Sequence, residues 1–134
     1  MIALDTNVIV RLVVADDPEQ LKIARRVFQS DDLWIAKTVL LETEWVLRYT
    51  YNLNQNSIYE VFCRLLGYRR LQVEDRGAVL RALYHYESGL DFADAMHLIS
   101  SGDADYFATF DKGLAKAARG VDRPVVEFLG AVSG

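Results

Sequence analysis

The sequence predicts a three-layer α/β/α fold with a short, mostly parallel central sheet. Short apolar runs at positions 1–4 and 33–35 read as buried strands, and the segments 71–73, 106–108 and 125–127 as further strands. Longer stretches between them repeat their apolar residues with helical period. Strands that alternate with helices imply parallel pairing, right-handed crossovers and helical cover on both faces. No internal repeat, low-complexity tract or linker interrupts the pattern, and 134 residues suit one core, so residues 1–134 read as a single domain.

Each element has its own signals. The run Met1-Ile2-Ala3-Leu4 is the first strand, and positions 7–14 form a short helix. Asp17-Pro18-Glu19-Gln20 opens the second helix, with Asp as N-cap and Pro in the first turn. Leu21, Ala24, Val27 and Phe28 give it an apolar face. After the strand at 33–35, Thr38 is the expected cap of a third helix reaching Tyr51, apolar on most sides and therefore central. A fourth helix opens at Asn54, carries Ile58, Val61, Phe62, Leu65 and Leu66 at helical spacing, and closes at Gly67. A helix over 75–87 is expected to turn Val79, Leu80, Leu83 and Tyr84 inward and to end at Ser88-Gly89. Asp91 starts the next, with Phe92, Ala95, Met96 and Ile99 on one face. Then come the strand at 106–108, a short helix, and a last strand at 125–127.

The composition, 51% hydrophobic and 25% charged, is that of an ordinary globular chain. No apolar segment reaches the roughly 18–20 residues that span a bilayer, and no basic stretch precedes the first apolar run, so neither membrane nor secretory signal is expected. The single Cys63 excludes an internal disulfide and fits a cytoplasmic protein; within an apolar stripe it reads as a buried, inert thiol. A net charge of −4 argues against a general nucleic-acid coat, which carries a basic footprint. The same charge is compatible with an acidic metal site and with a basic partner.

Four acids stand out. Asp5 and Asp111 each follow a short apolar strand and precede a helix, and ligands of open α/β sheets bind outside the carboxyl ends of strands. In one parallel sheet the two carboxylates can approach each other; capping of the following helix is the competing explanation for either. Glu42 shares a stripe with Trp45, Val46 and Tyr49, where an unpaired acid is costly to bury, so a role in binding is favoured over attraction to the helix N-terminus. Asp91 reads as an N-cap, and Asp94, three residues on, as half of a capping box. Four converging carboxylates repel one another unless they bind protons or cations. Hard divalent ions such as Mg²⁺ or Mn²⁺ suit such a site, and an acidic metal centre suits phosphoryl chemistry. The two histidines, His85 and His97, are isolated and show no zinc spacing.

With those residues in place the chain resembles the PIN-domain family, and more closely its VapC-type toxin ribonucleases. The matching segments are Met1 to Arg11 (MIALDTNVIVR), Leu40 to Arg48 (LLETEWVLR), Asp91 to Ser100 (DFADAMHLIS) and Tyr106 to Lys112 (YFATFDK), in the family's order and near its spacing. The resemblance puts the family's acids on Asp5, Glu42, Asp94 and Asp111, as catalytic and metal-holding residues, with Thr6, Asn7, Thr109 and Asp91 in support. It implies endonucleolytic cleavage of RNA with Mg²⁺ (Mn²⁺ as substitute), leaving 5′-phosphate and 3′-hydroxyl ends. It also implies a homodimer and neutralisation by a VapB-type antitoxin that can push a basic side chain into the acidic site.

For RNA contact the chain offers Arg11, Lys37, Arg48 and Lys112 to phosphates, and Tyr49, Tyr51 and Tyr68 to bases. Arg25-Arg26 and Arg69-Arg70 read as solvated faces. Two other functions compete. A phosphotransfer receiver domain also clusters acids in a small α/β fold, but it pairs them at the first strand end, whereas Thr6-Asn7 follow Asp5 and Glu42 lies within a helix. A PIN-type binding module that does not cleave would be expected to lose one of the four acids, and all are present.

Overall fold

The structure is a computed structural model and describes residues 1–130; the expected domain's last four residues, 131–134, lie outside the described residues. The chain divides into two compact units, Met1–Arg76 and Gly77 onward. Among the described residues no helix is long and apolar enough to cross a membrane.

The first unit runs β1 (Ile2–Ala3), α1 (Thr6–Val13), α2 (Pro18–Ser30), β2 (Leu33–Ile35), α3 (Lys37–Trp45), a π-helical turn (Val46–Thr50), α4 (Gln55–Leu66) and β3 (Leu71–Val73). Its three strands lie in the order β1-β2-β3, all parallel, with Ile2 opposite Leu33 and Leu33 opposite Leu71. Both connections carry helices, as parallel strands require. Leu4, Ile9, Leu33, Ile35, Leu40, Leu47, Ile58 and Phe62 are buried. Asp17 accepts from Gln20 N at 3.0 Å, as the expected cap of α2, and α4 opens at Asn54 as expected, its side chain accepting from Ser57 N at 2.8 Å.

The start of α3 differs from expectation. Ala36, not Thr38, occupies the cap position and offers no side-chain bond. The acceptor comes from the end of β3 instead: Lys37 N donates to Glu74 Oε1 at 2.9 Å, while Lys37 Nζ reaches Asp75 Oδ2 at 3.1 Å. Nor does α3 run as one α-helix to Tyr51. Thr43 Oγ1 donates back to the Val39 carbonyl at 2.7 Å, and beyond Trp45 the chain widens into the π-helical turn.

The second unit contains α5 (Arg76–Glu87) from Gly77 on, α6 (Phe92–Ser100), β4 (Tyr106–Thr109), α7 (Lys112–Ala117), a 3₁₀ turn (Ala118–Gly120) and β5 (Val125–Phe128). β4 and β5 pair in parallel, Tyr106 opposite Val125 and Thr109 opposite Phe128. The described strands all pair in parallel, in keeping with the α/β class expected, but in two sheets, β1-β2-β3 and β4-β5, so Asp5 and Asp111 follow strands of different sheets rather than of the one sheet expected. The buried face of α5 is Ala78, Val79, Ala82, Leu83 and Tyr86, whereas Leu80 and Tyr84 are exposed. The Tyr86 ring meets that of Phe92 in a T-shaped contact, centroids 5.2 Å apart. Gly89, at φ +111°, makes the turn from α5 to α6 in a conformation that an L side chain rarely adopts. Cys63, expected to be buried, is exposed on α4.

Candidate functional site

Asp5 caps α1. It follows β1, is exposed, and its Oδ1 accepts from Thr6 N at 2.8 Å. Capping does not exhaust the carboxylate, which has a second oxygen and several lone pairs. Thr6 is 5% exposed, yet its hydroxyl has no hydrogen-bond partner among the described residues. A buried hydroxyl in that state is usually satisfied by water or ligand. Asn7 is exposed in the first turn. The helix that Asp5 caps packs against α3, which carries Glu42.

Glu42 is exposed, as are Trp45 and Tyr49 on the same stripe. The burial argument that singled it out from the sequence therefore does not apply to it. Nor does it stand in the first turn, because α3 begins at Lys37. The buried acid on α3 is Glu44, 3% exposed, whose Oε1 accepts from Arg48 Nη2 at 3.2 Å and whose Oε2 lies 3.1 Å from Nε as an ion pair. The i, i+4 spacing of Glu44 and Arg48 is the signal by which the sequence could have shown this pair. The Arg48 guanidinium also lies 4.8 Å from the centroid of the Tyr49 ring. Arg48 is thus held by Glu44, and Lys37 by Asp75.

Arg11, another candidate for phosphate contact, is similarly engaged. It donates to Gln20 Oε1 at 2.7 Å, Asp16 Oδ1 at 2.8 Å and the Tyr51 hydroxyl at 3.2 Å. The Tyr51 hydrogen bond, and then the Asp16 charge, hold its guanidinium above the ordinary pKa against a partial desolvation. Tyr68 donates its hydroxyl to the Phe28 carbonyl at 2.9 Å and stacks on that ring at 4.4 Å, so it serves packing.

The second unit carries three of the expected acids, Asp91, Asp94 and Asp111. Asp91 caps α6, its Oδ2 accepting from Asp94 N at 3.1 Å. Asp111 caps α7, its Oδ1 accepting from Leu114 N at 2.9 Å. Thr109 Oγ1 accepts from Asp111 N at 2.9 Å and fixes the backbone where β4 ends. Asp94 is half-buried, and its carboxyl is raised above the usual carboxylate range by desolvation first, then by the charges of Asp91 and Asp111; His97, one turn on, opposes the rise. Of the residues expected at a site, Asp94 therefore feels the charges of both Asp91 and Asp111.

Among the described residues no three His, Cys, Asp or Glu side chains are grouped closely enough to hold a metal ion. The donor chemistry nevertheless suits a hard divalent cation. All the donors are carboxylate oxygens, and a cation would relieve the repulsion that disfavours charge on Asp94. At the sequence level, the model of the PIN domain family matches residues 2–120. No curated protein and no solved structure matches the chain.

Proposed function

The chain belongs to the PIN domain family, and on that premise we propose that it is a metal-dependent endoribonuclease of the VapC toxin type, built as a single nuclease domain. The carrying observation is the family match across residues 2–120, which spans all four candidate acids. Asp5, Glu42, Asp94 and Asp111 are the residues that would hold Mg²⁺ or Mn²⁺. The bound ion would activate a water and neutralise charge on the phosphate. In the reaction water attacks phosphorus and the bond to the 3′ oxygen breaks, leaving a 5′-phosphate and a 3′-hydroxyl.

The protein's own contribution is placement. Asp5 and Asp111 each cap a helix through one carboxylate oxygen, which leaves the second oxygen of each for a cation. Thr109 holds the Asp111 backbone, Asp91 holds the Asp94 amide, and the Thr6 hydroxyl with Asn7 offers polar groups beside Asp5. The net charge of −4 supports a basic antitoxin segment of the VapB kind as regulator, and Trp45 and Tyr49, exposed aromatics in contact with each other, support a homodimer.

Asp5→Asn tests the reading. It keeps a capping oxygen and removes the charge, so the fold is expected to survive while RNA cleavage falls at least about a hundredfold, in line with loss of a charge-stabilising group. Wild-type cleavage rates in the purified variant would remove Asp5 from the reaction. A wild-type protein that binds RNA in the presence of Mn²⁺ without cutting it would instead identify a binding module.

A further inference from the structure

The second unit contains a cleft of about 490 Å³ between α5, the end of α6 and the loop before β5. Its polar lining is Arg81, Tyr84, His85, Asp122 and Arg123. This unit is acidic, with five Lys and Arg against eight Asp and Glu in residues 77–134, yet two of the five cations and only one of the eight acids line this one cleft. Neither Arg81 nor Arg123 has an ion-pair partner among the described residues, and both are exposed. Tyr84 is 66% exposed, and its ring stands edge-on to His85 at 5.3 Å and 81°. Ile99 and Val121 complete the wall with apolar surface.

We propose that this cleft binds a nucleotide unit, with Arg81 and Arg123 on the phosphate and Tyr84 against the base. Guanidiniums match the oxygens of a phosphate and remain charged at any working pH, and this cleft is lined by two of them. An exposed tyrosine braced by a neighbouring ring presents a face on which any base can stack. The volume falls within the range of small-ligand sites, about 300–1,000 Å³. The proposal deepens the ribonuclease reading by placing a grip on the substrate strand outside the acidic residues. It rests on that reading only for the source of the nucleotide, RNA or a free nucleoside monophosphate.

The test uses the full chain in EDTA, where cleavage is suppressed, with two probes: a fluorescent single-stranded oligoribonucleotide and adenosine 5′-monophosphate. Arg81→Gln with Arg123→Gln is expected to weaken oligonucleotide binding at least tenfold and to flatten its dependence on log salt by about 1.4, the value for two single-strand phosphate contacts. Arg81→Lys with Arg123→Lys is expected to restore the salt slope. Tyr84→Ala is expected to weaken binding about tenfold without changing the slope. Unaltered thermal midpoints would show that these exposed positions leave the fold intact. Oligonucleotide binding that ignores all these substitutions overturns the cleft while leaving the ribonuclease reading untouched. Loss of the monophosphate site in the double glutamine variant, with no RNA bound by wild type, supports the cleft and counts against the ribonuclease. Failure of wild type to bind either probe overturns the cleft, as does a Tyr84→Ala variant that changes oligomeric state but not affinity, because the face would then be a protein interface.

Discussion

Glu44 is buried against Arg48 through both carboxylate oxygens, while Glu42, two residues earlier on the same helix, is exposed. Removing one partner of a buried pair leaves a charge without solvent, so Arg48→Met is expected to lower unfolding free energy by about 3 kcal/mol in urea titration. Glu44→Leu combined with Arg48→Met is expected to recover most of that loss; equal losses in the single and double variants would show that the pair is not coupled. Asp94 carries the second residue-scale prediction. Its folded pKa lies above the ordinary value, so ionised Asp94 opposes folding at neutral pH, and that opposition fades as pH falls through the raised pKa. In chelator, Asp94→Asn is therefore expected to melt above wild type at pH 7–8, with the gap closing toward acid. A variant that melts below wild type at pH 7–8 would count against the repulsion. The sequence showed both acids on α3 but expected the burial at Glu42, where the structure has it at Glu44, because a helical stripe gives the spacing of side chains and not which neighbour covers them.

The helices divide by how local their terminating signals are. α2 and α4 start at Asp17 and Asn54, whose side chains bond amides three residues on, and these starts were legible as spacing. The start of α3 was not, because its acceptor is Glu74, thirty-seven positions away in sequence. Glu74→Ala is expected to cost about 1 kcal/mol, the usual value of a lost cap, measured by thermal or urea unfolding. No change would mean that solvent satisfies the Lys37 amide equally well. Gly89 was legible as the end of α5, and its positive φ gives the reason; Gly89→Ala is expected to destabilise by more than about 1 kcal/mol. The face of α5 was read about one position out of register. Period alone fits several adjacent faces, and the one that lies inward carries Ala78, Val79, Ala82, Leu83 and Tyr86.

At the scale of the whole molecule, the metal reading predicts that Mn²⁺ at a hundred times its dissociation constant stabilises the native chain by about 2.7 kcal/mol, seen as a rise in thermal midpoint. The rise is expected to be absent from Asp94→Asn, and EDTA is expected to abolish cleavage by wild type. A midpoint indifferent to Mn²⁺ would remove the acids from metal binding. By itself the sequence determined the α/β class, the order of strands and helices, the family and the positions of the four acids. Each of these rests on short-range patterns such as period, capping pairs and motif spacing, which survive in a linear string. Only the tertiary structure decided that Glu44 rather than Glu42 is the buried glutamate of α3, that Glu74 closes the start of that helix, that Arg11 is committed to Tyr51, Asp16 and Gln20, and that Arg81 and Arg123 share a cleft. Those outcomes depend on which side chains meet across distant stretches of chain, and burial and charge pairing are fixed there.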